Sequence, residues 1–483
     1  MAYTGLVLLV LVGLGIIFTG LPAAMVLIGI ASAGAAFGVV SGAIPLALLS
    51  ALPNRLVNLL ENDLLQALPL FVFMGLLLDR LPVADALYRT GLAILPRGLA
   101  AQLISGMGLG ALLGPMNGSV GASVLALSRV VAPRLEARGV PEPTRAALVA
   151  VASTLGVVIP PSLVLILLGD AMLGAHTIAV TTTGRADRVI NTQDVFHGAL
   201  APAGLFLALS LMVAWLVGRR LPASDLPPDQ MPRRGQVLLA AISILFLLIL
   251  LGAVALGYFY AVEAAAMGAF VLFTGGVLTG RLKGAALREV LTQAMAMTGA
   301  LFALLIAATT LTLVLRMFGT DRLVAAWIEA LPGNELAVTA IVLGVIGLSA
   351  FVLDAFEIVF VIVPIIIPPL LIRVADARWV AVLVLLTLQT SFLLPPFGYA
   401  LMMVRGTLRY RGSLGALVRA LAPFLLAQWL VLATVLLFPQ LAHLGENAAN
   451  RTRALPAPVS NDEINRRMQD MLTPIPDFDP LTK

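Results

Sequence analysis

Long apolar segments separated by short polar connections occupy the chain up to about residue 440. The segments 237–256 and 420–438, for example, contain no charged residue, and about 20 apolar residues are enough for a helix to cross a bilayer. The pattern predicts an all-α polytopic membrane protein with about ten full spans. Their approximate bounds are 4–20, 22–42, 67–79, 146–169, 195–217, 236–256, 259–279, 293–315, 380–404 and 420–438.

Two further apolar segments, 98–128 and 335–371, are interrupted near their centres by the polar strings "GPMNGS" and "FVLDAFE". A helix that crosses lipid must satisfy its backbone polar groups internally, and irregular backbone is tolerated only where protein or water covers it. We therefore expect these segments to be re-entrant hairpins with tips buried in protein.

Adjacent prolines interrupt two of the spans, Pro160-Pro161 in "GVVIPPS" and Pro395-Pro396 in "SFLLPPFG". Pro133 precedes the first pair by the same distance along the chain as Pro368 precedes the second. Proline has no backbone N–H and clashes with the preceding turn, so each pair predicts a break in a membrane helix. One such pair is most often a kink. The matched spacing favours two breaks at corresponding positions of a repeat.

Other features recur at the offset that separates the two proline pairs. The first hairpin tip at Ser119 aligns with Asp354, and the amphipathic segment 51–66 has its counterpart near 282–292. Arginine-rich loops favour the cytoplasm, and this places the two hairpins on opposite sides of the membrane. Such matched broken segments in halves of opposite orientation are typical of secondary transporters. The predicted divisions are a first inverted repeat over 1–218, a cytoplasmic linker over 219–235, a second inverted repeat over 236–440 and a polar C-terminal tail over 441–483.

Composition supports the same class. The 483 residues are 60% hydrophobic and 11% charged, with a mean hydropathy of +1.03, whereas soluble domains carry about 25% charged residues. The net charge of +5 comes from arginines in short loops, which topology explains better than nucleic acid does, so no nucleic-acid partner is expected. Cysteine is absent, which excludes disulfides and thiolate metal sites. No "GxxxxGK[ST]" phosphate loop occurs, so an ion gradient or a partner has to supply the energy.

The helix breaks carry the candidate chemistry. A broken helix offers free carbonyls that suit Na⁺ and free N–H groups that suit a carboxylate. The polar residues expected to face the breaks are Asn117, Ser119, Ser123 and Thr154 in the first half and Asp354, Gln389, Thr390 and Ser391 in the second. Oxygen ligands of this kind favour a hard cation over a transition metal.

Acidic residues inside the apolar segments have to be interpreted individually. Charges at membrane depth are costly and usually functional, so Asp354 is expected to serve an ion site or a gate, whereas Glu357 is equally compatible with a helix cap. Glu263 is interpreted as a charge at a helix N-terminus, and Asp170 as an interfacial residue at a span end. The three histidines have no second ligand at metal-binding spacing.

Several of these strings resemble those of one family. The chain is similar, over about residues 4–440, to the large, DctM-type membrane subunit of tripartite ATP-independent periplasmic (TRAP) transporters. The strings that carry the resemblance are "LPLFVFMGLLLDR" (68–80), "NGSVGASVLALSRVVAP" (117–133), "GVVIPPS" (156–162), "VEAAAMGAF" (262–270), "FVLDAFE" (351–357) and "LLPPFG" (393–398).

The resemblance implies a Na⁺-driven importer of small organic anions in the bacterial inner membrane, with no cofactor besides the coupling ion. It implies two partners, a small four-helix membrane subunit and a periplasmic substrate-binding protein, and an inverted-repeat, elevator-type fold. The residues it assigns are Asn117, Val120, Gly156, Ile159 and Pro161 for one Na⁺ site, Asp354, Ser391, Leu394 and Phe397 for a second, and Ser119, Ser123, Pro160, Pro395 and Pro396 facing the substrate.

The chain departs from the family pattern at two places. Its tip string "NGSV" and Leu394 stand where the family often has Ser and Thr side chains, so the sites would use more backbone carbonyls. The connection 171–193 is longer than usual, is expected to face the periplasm, and resembles the branch associated with oxo acids, mannitol-like and chloroaromatic compounds. Two alternatives remain: a stand-alone Na⁺/carboxylate symporter, and a membrane-embedded transferase, which would need more clustered intramembrane acids than the pair Asp354 and Glu357.

Overall fold

The computed structural model describes residues 2–95, 98–117, 119–185, 188–222, 233–255, 257–395 and 398–444. Throughout these residues the regular secondary structure is helical. The predicted site residues Pro396 and Phe397, most of the predicted linker, and nearly all of the predicted tail lie outside the described residues.

The first half contains twelve α-helices, two of them forming a hairpin. They are α1 (Ala2–Thr19), α2 (Ala23–Val40), α3 (Leu46–Leu49), α4 (Ala51–Leu60), α5 (Ala67–Arg80), α6 (Val83–Ile94), α7 (Leu99–Leu113), α8 (Val120–Val130), α9 (Ala132–Ala137), α10 (Glu142–Val158), α11 (Leu163–Thr183) and α12 (Thr192–Arg220). Short 3-10 turns cover Asp63–Gln66 and Gly114–Met116.

The second half likewise contains long helices, a hairpin and a broken helix. Its helices are α13 (Arg234–Ala255), α14 (Ala261–Leu278), α15 (Ala285–Met317), α16 (Thr320–Ala330), α17 (Glu335–Ser349), α18 (Ala355–Glu357), α19 (Val363–Arg373), α20 (Ala377–Leu393), α21 (Tyr399–Thr407) and α22 (Leu414–Leu437). A π-helical turn, Ile358–Ile362, joins α18 to α19, and a 3-10 turn covers Pro439–His443.

Burial separates the outer helices from the inner ones. Along α13, Leu238, Ile242, Leu245 and Ile249 are all exposed, as expected for side chains that face lipid. In contrast, α10 is buried from Ala146 to its end and α20 is buried on every face. A helix that is apolar all round and buried lies at the centre of its bundle. The two proline-broken helices are therefore the core of the molecule.

Nine helices of the described part are long and apolar enough to cross a membrane, or up to ten if the bent pair α5 and α6, which meet at 61°, counts as one span. This agrees with the predicted multi-pass membrane protein. Both predicted hairpins are present, as α7–α8 and as α17 with its return arm, by which we mean residues 355–373. Both proline pairs fall at helix breaks, between α10 and α11 and between α20 and α21.

The structure corrects the predicted connection 171–193. Helix α11 continues to Thr183 and ends at Gly184, whose left-handed φ of +66° suits a residue without a Cβ. Asp170 and His176 thus lie inside a helix and not at a span end or in a loop. The Asp170 carboxylate accepts a hydrogen bond from Asn62 Nδ2 at 3.1 Å. The buried His176 ring accepts the Ile190 N–H through Nδ1 at 3.0 Å.

Two other boundaries also differ. The predicted amphipathic segment 282–292 is largely the first part of the continuous 33-residue helix α15, because no residue in it stops a helix. The predicted tail begins inside the compact unit, which extends to Leu444: Ala442 is fully buried, and His443 Nε2 lies 2.7 Å from Asp376 Oδ2.

Candidate functional site

The first helix break leaves one carbonyl without a helical donor. Pro160 and Pro161 occupy the positions four and five residues after Gly156, and neither has an N–H. The Gly156 carbonyl therefore has no α-helical or π-helical donor. Pro161 also removes the donor for Val157, but that carbonyl accepts the Ser162 hydroxyl at 2.8 Å. Among the described residues, the break thus satisfies the Val157 carbonyl through a side chain, whereas the Gly156 carbonyl has no helical donor.

Ser162 connects the two sides of this break. Besides donating to Val157, its Oγ accepts the Leu165 N–H at 3.1 Å and so caps the N-terminus of α11. The sequence prediction did not select Ser162, although a serine directly before an apolar helical run is a recognised start signal. The spacing of the prolines indicates the break but not the residue that caps the next helix.

The tip of the first hairpin touches the break through backbone atoms. A Cβ on Gly156 would lie 2.2 Å from the carbonyl carbon of Gly114, and a Cβ on Gly114 would lie 2.8 Å from Gly156 N. Only glycine permits so close an approach of two chains. Below the tip, a Cβ on Gly75 of α5 would lie 2.8 Å from the Asn117 backbone. The tip is therefore held by main-chain contacts on two sides.

A small cavity lies between this tip and the break, with room for about one water molecule. Its lining includes the glycines of the backbone contact and three serines: Gly114, Pro115, Ser119, Val120, Ser153, Gly156, Val157, Ser162, Leu163 and Val164. The structure thus brings together the predicted residues Ser119, Val120 and Gly156 around one space. Serine hydroxyls and carbonyl oxygens are hard ligands that fit a small cation such as Na⁺.

The remaining residues predicted for the first site have other surroundings. The Asn117 side chain is buried and donates through Nδ2 to Ser123 Oγ at 3.2 Å. Ser119 caps α8, its Oγ accepting the Ala122 N–H at 3.1 Å. Ile159 has extended backbone at the end of α10, and Pro161 lies in the bend that follows. Thr154, also expected to face the break, donates its hydroxyl to Val151 O within α10 at 2.9 Å.

The second break has the same proline spacing, but two of its carbonyls accept N–H groups from the break itself. Pro395 lies four residues after Ser391 and removes its α-helical donor, yet the Ser391 carbonyl accepts the Leu394 N–H at 3.2 Å. The Leu394 carbonyl in turn accepts the Gly398 N–H at 2.8 Å. A Cβ on Gly398 would lie 2.6 Å from Phe392 O, so the chain turns tightly there. The backbone groups of this break are partly used within the turn.

At the tip of the second hairpin, the side chains of Asp354 and Glu357 cap the helix that begins the return arm. Asp354 Oδ1 accepts the Ala355 N–H at 2.8 Å, and Glu357 Oε2 accepts the Asp354 N–H at 2.7 Å. Together they form a capping box, in which two residues satisfy the free donors of a helix start reciprocally. The second ion site, predicted at Asp354, Ser391, Leu394 and Phe397, stays a prediction.

Tyr399 links the two hairpins, and no sequence pattern singled it out. A Cβ on Gly121 of the first hairpin would lie 2.9 Å from the Tyr399 hydroxyl. The carboxyl groups of Asp354 and Glu357 lie near enough to act electrostatically on the same hydroxyl. Its ring packs against Phe392, with 6.2 Å between ring centroids. The phenol is thus a polar group where both hairpins and the second break converge.

The polar residues of α20 divide into two kinds. Thr390 donates to Leu386 O at 2.7 Å and Ser391 to Leu388 O at 2.6 Å, both within the helix. Gln389 is fully buried, and neither its Nε2 nor its Oε1 has a hydrogen-bond partner in the described part of the chain. Glu263 accepts the Tyr260 N–H at 3.0 Å, which agrees with its predicted place at a helix start. No cluster of metal-ligating side chains occurs among the described residues.

Two hairpins that meet two broken helices in the centre of a membrane bundle define a class, the secondary transporters with discontinuous helices. The sequence places the chain within it more narrowly. It belongs to the family described as "Tripartite ATP-independent periplasmic transporter, DctM component", which it matches over residues 8–441. The resemblance inferred from the sequence is confirmed.

Individual relatives carry the names of large permease subunits. The chain is 22% identical to the C4-dicarboxylate TRAP transporter large permease protein of Rhodobacter capsulatus, over 80% of this chain and 88% of the relative. It is 22% identical to the sialic acid TRAP transporter large permease protein of Vibrio cholerae, over 88% and 95%. It is 26% identical to the C4-dicarboxylate protein of Pseudomonas aeruginosa, over 83% and 91%. These relatives are transporter subunits, so the chain is a permease and not the alternative transferase.

A solved structure supports the fold. The Alcanivorax borkumensis YdaH transporter, described as having an unusual topology, superposes with a TM-score of 0.61 at 16% identity, over 81% of this chain and 87% of that one. At this identity the likeness concerns the arrangement of helices alone.

Proposed function

We propose that this permease subunit imports a small organic anion into a bacterial cell across the inner membrane, driven by a Na⁺ gradient and supplied by a periplasmic binding protein. The observation that carries the proposal is Gly156, whose carbonyl has no helical donor and which lines a cavity together with Ser119, Ser153 and Ser162. A carbonyl oxygen and the remaining lone pairs of hydroxyl groups around a space of this size suit one small hard cation.

The same cavity also offers positive helix ends. Ser119 and Ser162, the N-caps of α8 and α11, both line it. The N-terminus of a helix attracts anions through its free N–H groups and its dipole. A carboxylate bound beside the cavity would be held by these two helix ends and by the cation inside it. Cation and anion would then stabilise each other, which is the coupling that a symporter requires.

The substrate class follows from this chemistry. The relatives are named for C4-dicarboxylate, sialic acid and 2,3-diketo-L-gulonate, and all three compounds are organic acids. We propose a carboxylate or oxo acid for this chain. The second Na⁺ site is proposed at Asp354, Ser391, Leu394 and Phe397, with Asp354 as its charged ligand.

For transport, the two hairpins and the two broken helices would move as one unit across the membrane, as in an elevator mechanism. Such a movement needs a fixed frame, and the exposed apolar faces of helices such as α13 offer a surface for the lipid bilayer and for a small four-helix membrane subunit. The periplasmic binding protein is the proposed second partner.

Thermal unfolding of the purified protein tests the ion site before any substrate is known. A ligand present at 100 times its dissociation constant stabilises the native state by about 2.7 kcal/mol. We expect NaCl to raise the unfolding temperature relative to equal concentrations of choline chloride and KCl. An equal effect of all three salts would contradict the Na⁺ site.

Reconstitution tests the transport model. The protein and its small partner in proteoliposomes, with an inward Na⁺ gradient and radiolabelled C4-dicarboxylate, sialic acid or 2,3-diketogulonate, should take up one of these acids only when the loaded binding protein is added outside. Uptake without the binding protein would support the stand-alone symporter instead.

A further inference from the structure

The return arm of the second hairpin contains three prolines that remove helical donors from its own carbonyls. Pro364 lies four residues after Phe360 and gives the Phe360 carbonyl no α-helical donor. Pro368 and Pro369 lie four and five residues after Pro364, so the Pro364 carbonyl lacks both an α-helical and a π-helical donor. The arm, which starts at the capping box of Asp354, therefore presents two carbonyls without an α-helical donor one turn apart, and the Pro364 carbonyl lacks a π-helical donor as well.

Helix α15 supplies donors for both carbonyls. The Thr312 hydroxyl lies 3.0 Å from Phe360 O, and Arg316 Nη2 donates to Pro364 O at 3.2 Å. The donors are four residues apart on α15 and the acceptors are four residues apart on the arm. Residues at this spacing lie on one face of a helix, so the two bonds form a ladder that fixes the arm in one register against α15.

Each donor is suited to this contact. Thr312 is buried, and its hydroxyl also lies 2.8 Å from Ala308 O in its own helix, so its one hydrogen is shared between two carbonyls. Among the described residues, Arg316 has no carboxylate within ion-pair distance. Its buried Nε has no partner there either. The Pro364 carbonyl of the arm is thus the hydrogen-bond acceptor for the Arg316 side chain.

We propose that Thr312 and Arg316 are positioning residues for the second hairpin tip, acting through the two carbonyls that prolines leave without α-helical donors. By holding the arm at its first turns, they place Asp354, Glu357 and the neighbouring Tyr399 hydroxyl relative to the second break. The effect of these residues on ion binding rests on the proposed Na⁺ function. The positioning of the hairpin tip does not depend on that function.

Amide hydrogen exchange of the protein in nanodiscs tests the positioning without a ligand. Thr312→Val is nearly isosteric and removes only the donor, so exchange across residues 351–363 should become about five- to tenfold faster. Thr312→Ser keeps a hydroxyl and should stay close to the original protein. Thr310→Val is the matched control, because Thr310 lies on the same helix and donates only to Ile306 O of its own helix, at 2.7 Å.

Arg316→Met keeps the apolar stem of the side chain and removes its donors, and it should accelerate exchange in the same segment. The proposal is overturned if Thr312→Val and Thr310→Val leave exchange equally unchanged, or if Thr312→Ser behaves like Thr312→Val. Either result can be interpreted if the variants keep a cooperative unfolding transition, so this transition is measured first.

The Na⁺ concentration for half-maximal thermal stabilisation provides a second readout. A loss of general stability would lower the unfolding temperature without moving this concentration. A displaced tip should raise it about fivefold in Thr312→Val and leave it unchanged in Thr312→Ser. If the original protein shows no specific response to Na⁺, the proposed function fails while the exchange data still decide the positioning.

Discussion

The two helix breaks share their proline spacing and differ in how their backbone groups are used. At the first break, the Gly156 carbonyl has neither an α-helical nor a π-helical donor, and the hydroxyl of Ser162 satisfies the Val157 carbonyl. At the second, the carbonyls of Ser391 and Leu394 accept N–H groups of the turn itself. One repeated proline spacing can therefore leave a carbonyl without a helical donor in one half of the chain and form a hydrogen-bonded turn in the other.

The strongest test of the first site is Gly156→Ala. The new Cβ would lie 2.2 Å from the Gly114 backbone, so the hairpin tip has to move away from the break. A displacement of about 1 Å can cost on the order of 100-fold in activity, and we expect that loss in Na⁺-driven uptake. Gly108→Ala is the control, because a Cβ on Gly108 in the same hairpin has nothing within 4 Å. Equal uptake by the two variants would contradict the backbone contact.

Asp354 distinguishes a charged ligand from a helix cap. Asn is as good an N-cap as Asp, so Asp354→Asn should fold like the original protein, while Asp354→Ala also loses the cap. If the charge binds Na⁺, both variants should need about tenfold more Na⁺ for half-maximal uptake. If Asp354→Asn retains the original Na⁺ dependence, the residue is only a cap and the second break has no charged ligand.

Tyr399→Phe tests whether the phenol between the hairpins contacts the substrate. Loss of one hydrogen bond to a charged group is worth about 1.5 to 3 kcal/mol, so the substrate concentration for half-maximal uptake should rise about ten- to a hundredfold. The maximal rate should change less. Tyr410→Phe is a suitable control, since that hydroxyl donates to Ser413 O, 3.0 Å away in the connection before α22. A matching loss in both variants would remove Tyr399 from the site.

The smallest effect is expected for Ser162→Ala, which removes a buried cap. It should lower the free energy of unfolding by about 1 to 2 kcal/mol, since it also leaves the Val157 carbonyl unsatisfied. Ser413→Ala removes an exposed cap, whose Oγ accepts the Ala416 N–H at 3.2 Å, and should cost less. Denaturant midpoints in detergent measure both. A smaller cost for Ser162→Ala would show that water satisfies the first break.

Much of the architecture could be predicted because lipid imposes simple rules. Apolar length identified the spans, and polar interruptions at 114–119 and 351–357 identified both hairpin tips. The proline pairs identified both breaks since a missing N–H is a property of the residue itself. Helix ends were less accurate: nothing in 171–183 stops α11, and apolar content alone does not show where a helix leaves the membrane.

The composition of the site was harder to predict. Gly114, Ser153 and Ser162 reach the first cavity only because the tip and the break pack together, and Tyr399 meets Gly121 from the opposite half of the chain. Such contacts depend on tertiary packing and leave no local pattern. Conversely, Thr154 and Thr390 had suitable side chains and positions, yet both donate within their own helices. The polarity of a residue does not indicate which partner its side chain finds.

The carbonyl of Gly156, which has no helical donor, determines which substitutions a site of this kind tolerates. Every residue has a carbonyl, so the oxygen itself survives any substitution. It is made available by Pro160 and Pro161, four and five positions further along the chain, and it is reachable because Gly156 is small. The residues that determine whether this carbonyl can act as a ligand are therefore mainly its neighbours in the sequence. A site of this kind tolerates changes in the surrounding side chains as long as the spacing of its prolines persists.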